Sequence, residues 1–148
     1  MIYLGIDVGM KGGIGVIYDD GTYNAIPMPA TTQQVYRFLS GYPGQTVAIE
    51  CVGSMPAQGV ASTFKFGKGY GELLGICTAL GMTILNPRPQ QWKKSMLEGL
   101  DKSEKDSSIL RSEQLFPELN LVPKGCRKPS DGMAEAILLA AYAQKECK

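Results

Sequence analysis

Four acidic residues stand where side-chain type and spacing could do chemistry. Asp7 closes the apolar run IYLGID, between Ile6 and Val8, and Gly5 and Gly9 leave room around it for close approach. Glu50 closes a second such run, TVAIE. Asp131 opens a segment that continues GMAEAILLAAYA, and Glu135 follows four residues on, a spacing that puts both acids on one helical face. An acidic pair at the entrance of so apolar a helix repels itself and costs desolvation. Divalent cations held between this pair and the two strand-end acids would offset both costs. An all-oxygen donor set suits Mg²⁺ or Mn²⁺, two ions per site, and argues against structural zinc.

Each acid also has an ordinary explanation. Asp131 could cap the last helix, Glu135 could be a solvated acid near that helix's positive end, and Asp7 could simply end a strand. The two acids that follow strongly apolar strands are the hardest to account for in this way. Two ions about 4 Å apart could activate a water for in-line attack on phosphorus and stabilise the leaving 3′ oxygen, with no covalent enzyme intermediate.

The rest of the composition narrows the chemistry. The 148 residues include no histidine, which removes imidazole bases, histidine triads and imidazole metal ligands together. Cys51, Cys77, Cys126 and Cys147 form no CxxC pair or compact ligand cluster, so free thiols in a reducing compartment are expected. The opening MIYLGIDV reaches an acid without a basic leader, and no apolar run approaches the ~20 residues that cross a bilayer. A cytoplasmic chain without membrane contact is expected, folded as one domain over 1–148.

The elements that must position the acids can be read from pattern and punctuation. Residues 2–8 and 14–18 read as strands, Asp19-Asp20-Gly21 as a hairpin turn, and 22–28 as the return strand. Thr31 can cap a helix over 32–39, and residues 46–50 make a fourth strand, parallel to the first through that helical crossover. A long helix over 60–80, a short strand over 82–85, helices near 89–98 and 104–115, and a last helix over 131–145 complete the chain. Ser103 and Asp106 resemble a capping pair for the fourth of these helices. The order implies an α/β fold with a mixed five-stranded sheet and helices on both faces.

The formal net charge is only +1, but it hides an uneven distribution. Setting the four acids above aside leaves fifteen basic residues against ten acids, a balance of +5. Lys65, Lys68, Arg88, Lys93 and Lys94 share a stretch in which Glu72 is the sole acid, and Lys124, Arg127 and Lys128 lie in an acid-free stretch just before Asp131. Such a face could bind phosphates; the alternative is ordinary solvated lysines. Phe64 and Phe66 flank Lys65 and could stack on an unpaired base, or fill the core. Trp92 reads as an anchor for its helix, with Lys93 and Lys94 facing outward. Gly67, Gly71 and Gly75 clear one face of the long helix, for packing either on its own sheet or across a two-fold axis.

The segments GIDVGMKGGIGVI, TVAIE, SMPAQGVASTFKFGKGYGELLGI, PQQWKKSM and KPSDGMAEAILLAAYA together resemble the RuvC-type Holliday junction resolvases, above all their bacteriophage and prophage relatives. The resemblance spans nearly the whole chain. It implies an RNase H-like fold, a homodimer, and metal-dependent cutting of paired strands at four-way DNA junctions, in the cytoplasm of a bacterial host if phage-encoded. By motif, Asp7, Glu50, Asp131 and Glu135 resemble the family's metal-binding catalytic acids. Two departures stand out. The last two acids are four residues apart where bacterial members often have three, and Ser130 and Lys128 stand near where many relatives carry a histidine. Three other readings compete: a broader nuclease for flaps and forks, a non-catalytic junction-binding protein, and an actin-like or sugar-kinase ATPase. The last has a similar glycine-rich opening but normally needs two such domains.

Overall fold

The structure, a computed structural model, describes residues 1–148 except Ser54, Met55 and Lys105. The first two belong to the SMPAQG motif, which therefore lies partly outside the described residues. The chain runs β1 (Tyr3–Asp7), β2 (Gly13–Ile17), β3 (Tyr23–Pro27), α1 (Thr32–Leu39), β4 (Thr46–Ile49), α2 (Val60–Ala79), β5 (Thr83–Leu85), α3 (Pro89–Met96), α4 (Asp106–Leu115) and α5 (Asp131–Glu146). The sheet order is β3-β2-β1-β4-β5. β1–β2 and β2–β3 are antiparallel, while β1–β4 and β4–β5 are parallel. This is the mixed five-stranded sheet of an RNase H-like α/β fold, with helices on both faces.

Local chemistry explains the turns and caps. The β2–β3 connection closes with Gly21 at a φ of 84°, and Asp20 accepts the backbone N–H and hydroxyl of Thr22 at 2.9 and 2.6 Å. Thr31 caps α1 in a reciprocal box with Gln34, as the sequence predicts. Pro89 occupies the first turn of α3, where its missing N–H costs nothing. Among the described residues, no hydrogen bond joins Ser103 to Asp106 as the expected cap would. Ser103 instead donates both its N–H and its hydroxyl to Asp101, at 2.9 and 2.7 Å, because an Asx turn two residues back is the nearer acceptor.

Alternating side chains split the sheet between two cores. Leu4, Ile6, Ile14, Val16, Val47 and Ile49 face α1 and α2, where Val35, Leu39, Leu73 and Cys77 meet them. The opposite face belongs to α5, which buries ten of its sixteen residues. Two glycines permit this approach. Gly5 and Gly15 are cross-strand partners on β1 and β2. A Cβ at Gly5 would lie 2.1 Å from the carbonyl oxygen of Ala136, and one at Gly15 would lie 2.6 Å from Ile137. The α5 backbone thus rests in a trough that lacks side chains. Each large apolar side chain buried here contributes about 1.5–3 kcal/mol, enough together to hold an acidic first turn against the sheet.

The four cysteines are free thiols, as expected. Among the described residues, no helix is long and apolar enough to cross a membrane.

Candidate active site

β1 and β4 are neighbouring parallel strands, and their last paired rung is Ile6 opposite Ile49. Asp7 and Glu50 are the next residues on each, one inside the strand end and one just beyond it. The expected fourth strand is therefore one residue shorter than the sequence pattern suggests, and Glu50 emerges from the ladder's edge. Asp131 and Glu135 are brought to the same end because α5 lies along β1 in the glycine trough. Gly132 tightens this approach: a Cβ there would lie 2.0 Å from the carbonyl oxygen of Lys11. Ser130 caps α5 by accepting the N–H of Met133 at 3.1 Å, so Asp131 is not the cap that an ordinary reading would make it.

The four acids share one electrostatic field. Burial pushes the Asp7 carboxyl up to about 8, and the charges of Glu135, Glu50 and Asp131 push in the same direction. Burial also raises Glu135; Lys93 opposes that shift, and Glu50 and Asp131 add to it. The Lys93 ammonium lies 3.6 Å from a Glu135 carboxylate oxygen. Among the described residues, no three or more His, Cys, Asp or Glu side chains are gathered closely enough to hold a metal ion as they stand. The donor set nevertheless suits a hard divalent cation: it is all oxygen, and the charges of Glu50 and Asp131 raise the proton affinity of Asp7 and Glu135.

Several contacts around this cluster were not evident from the sequence. Trp92, fully buried in α3, donates its indole N–H to a Glu50 carboxylate oxygen at 2.6 Å. A buried tryptophan needs an acceptor for that donor, which is the one signal the sequence offers. Asn86 donates to the Ile49 carbonyl at 2.6 Å and accepts from the Tyr70 hydroxyl at 2.9 Å, tying the end of β4 to α2. The Ser108 hydroxyl lies 3.4 Å from Glu135. Lys93, expected to face outward, instead sits half-buried between Glu135 and the Trp92 ring, 5.5 Å from the ring centroid. The burial of Trp92 turns the helix so that the next residue points at the acids.

The other predicted DNA contacts divide by exposure. Phe64 is 74% exposed, so it is not a core residue, whereas Phe66 is half-buried. Phe66 borders two clefts. One, of about 900 Å³, is also lined by Gly9, Lys65 and Lys68; the other, of about 550 Å³, by Glu50, Cys51 and Arg88. Lys65, Lys68, Lys94, Lys124, Arg127 and Lys128 are exposed. A Cβ at Gly67, Gly71 or Gly75 would meet nothing within 4 Å, so this face of α2 does not pack on its own sheet.

No family model matches the sequence, and no curated protein matches it. Solved structures do match the fold. Thermus thermophilus RuvC is similar at a TM-score of 0.62 and 19% identity, covering 99% of this chain and 97% of the other. The same organism's RuvC in complex with a Holliday junction substrate is similar at 0.65 and 17%, covering 99% and 96%. The yeast mitochondrial Holliday junction resolvase is similar at 0.54 and 16%, covering 93% of this chain and 75% of that one. At these identities the likeness is one of architecture: the chain has the RNase H-like fold that these junction resolvases share.

Proposed function

We propose that this chain is a divalent-metal-dependent endodeoxyribonuclease that resolves four-way DNA junctions by paired phosphodiester hydrolysis. One observation carries the reading. On a resolvase-like fold, the tips of two adjacent parallel strands and the first turns of α5 put Asp7, Glu50, Asp131 and Glu135 into one electrostatic field. We assign these four as the catalytic and metal-binding acids. When bound, Mg²⁺ or Mn²⁺ supplies activation of the attacking water and stabilisation of the leaving oxygen. The chain's own residues hold and orient the rest. Lys93 offsets charge at Glu135, Phe64 and Phe66 offer stacking surfaces, and Lys65, Lys68, Lys94, Lys124, Arg127 and Lys128 contact phosphates.

We take the chain as a single domain over 1–148 that acts as a homodimer. The open glycine face of α2 and its exposed Phe64 and Val60 support that assembly. The phage-type likeness of its motifs favours work in the cytoplasm of a bacterial host. The test is cleavage of a fixed four-way junction with Mg²⁺ or Mn²⁺, beside flap and duplex controls. Symmetric paired nicks, abolished by chelation and by Asp7→Asn without loss of binding, are expected. Equal cutting of flaps would broaden the substrate class. Binding without cutting by the unaltered chain, in either metal, would leave a junction-binding protein and remove the enzyme.

A further inference from the structure

We propose that Trp92 is a positioning residue for the cation site, fixing the Glu50 carboxylate through its indole N–H and reporting on the site's occupancy. The inference rests on the reading of Glu50 as a metal ligand.

The geometry is specific. The indole is fully buried and locked among Ala48, Leu97, Leu138 and Leu139, so its ring plane has no freedom to follow a moving partner. Its single donor points at one Glu50 oxygen, 2.6 Å away and across 42 residues of sequence. An indole N–H can only donate. The bond therefore engages one carboxylate oxygen, restricts where the carboxylate can swing and leaves the second oxygen for a cation. Glu50 needs such a brace, because it lies one residue past the last paired rung of β4 and the ladder no longer holds it. Outer partners of this kind typically change metal affinity 10–100-fold when removed.

The same ring faces the rest of the site. Lys93 lies over it at 5.5 Å from the centroid and pairs with Glu135. A cation entering among the acids thus changes the field at both the edge and the face of the indole. Trp92 is the only tryptophan in the chain, so its emission is a clean signal.

The test uses the full chain, stripped of metal and titrated with Mg²⁺ and separately with Ca²⁺. Calorimetry gives the affinity, and tryptophan emission is followed in parallel. The expected result is a saturable emission change whose midpoint matches the calorimetric one. Trp92→Phe, and replacement of Trp92 by the sulfur isostere 3-benzothienylalanine, should each weaken cation affinity about 10–100-fold. The isostere keeps ring shape and loses only the N–H. Leu39→Ala, in the core on the other side of the sheet, should lower stability without changing cation affinity. Unchanged affinity in the isostere, flat emission while calorimetry saturates, or no cation binding by the unaltered chain would each overturn the inference. The nuclease reading is judged separately, by junction cleavage. A chain that binds cations through a Trp92-dependent site yet cuts no DNA would refute that reading and leave this one standing.

Discussion

Replacing Asp7 with Asn should stop cleavage and, in the metal-free protein, make the fold more stable. The magnitude follows from burial. Folding moves the Asp7 carboxyl from an ordinary 3.8 to about 8, with burial the largest cause and the other three acids adding to it. At pH 7 the unfolded chain carries this group ionised and the folded chain carries it protonated. Folding must therefore take up a proton about three units above the group's ordinary pKa, at a cost of about 4 kcal/mol. Asn has the shape of the protonated acid and carries no such cost. In a chain of 148 residues, where 1 kcal/mol moves Tm by about 2–4 °C, the variant should melt roughly 10 °C higher. The sign also fixes the pH profile. Because the folded pKa lies above the unfolded one, the Asp7 contribution to stability is fully present below about pH 4, is lost as pH rises towards about 8, and levels off beyond. Asp7→Asn should lack this contribution, leaving a same-signed remainder from Glu135 and an opposite one from Asp20 and Asp101. Thermal unfolding by circular dichroism, in chelator from pH 4 to 9, measures both effects. Saturating Mg²⁺ should then narrow or reverse the difference, since it stabilises only the chain that can bind it. Equal melting temperatures at pH 7 with parallel pH curves would show that Asp7 is not held in the repulsive, buried setting described here.

Other substitutions probe the supports of the site. Gly5→Ala should cost about 3 kcal/mol in chemical denaturation and abolish cleavage with it, because the added methyl meets the α5 backbone rather than a side chain that can turn away. Lys94→Ala should reduce the log–log salt slope of junction binding by about 1, measured by fluorescence anisotropy, as expected of an exposed phosphate contact. Lys93→Ala should instead shift the acidic limb of the pH–rate profile upward, since Lys93 holds Glu135 down. Thr31→Ala should cost about 1 kcal/mol through loss of the α1 capping box and leave cleavage intact. Sedimentation should give about twice the 16.0 kDa of one chain, and a strictly monomeric mass at micromolar concentration with cleavage retained would exclude the two-fold assembly.

Local signals made much of this legible from the sequence. The Asp-Asp-Gly turn, the Thr31 box and the apolar alternation of the strands act over a few residues, and the elements they define appear within a residue or two of where those signals put them. The pairing of β1 with β4 followed from the helical crossover between them, and that pairing is what brings Asp7 and Glu50 to one edge. The contacts that escaped are those decided by rotation of a helix once it packs. Nothing near Trp92 in sequence marks Glu50 as its acceptor, and the inward turn of Lys93 depends on which side of α3 the indole buries. The Gly67–Gly75 face could have met its own sheet or a partner; only the position of α2 over β5 and α1 shows it open. Ser103 went to Asp101 because the acid two residues back takes the backbone N–H that a capping acid would accept, and draws the hydroxyl with it.

The glycines of α2 have a dynamic consequence. Each weakens the helix by about 1 kcal/mol relative to alanine, and of its twenty residues only Leu73 and Cys77 are buried, both in the second half. The first half, carrying Phe64, Lys65, Phe66 and Lys68, has little to protect its amides from solvent deuterium. Amide exchange there should run orders of magnitude faster than along α5. This half of the helix can therefore open and reclose locally while the acids at the sheet's edge keep their places.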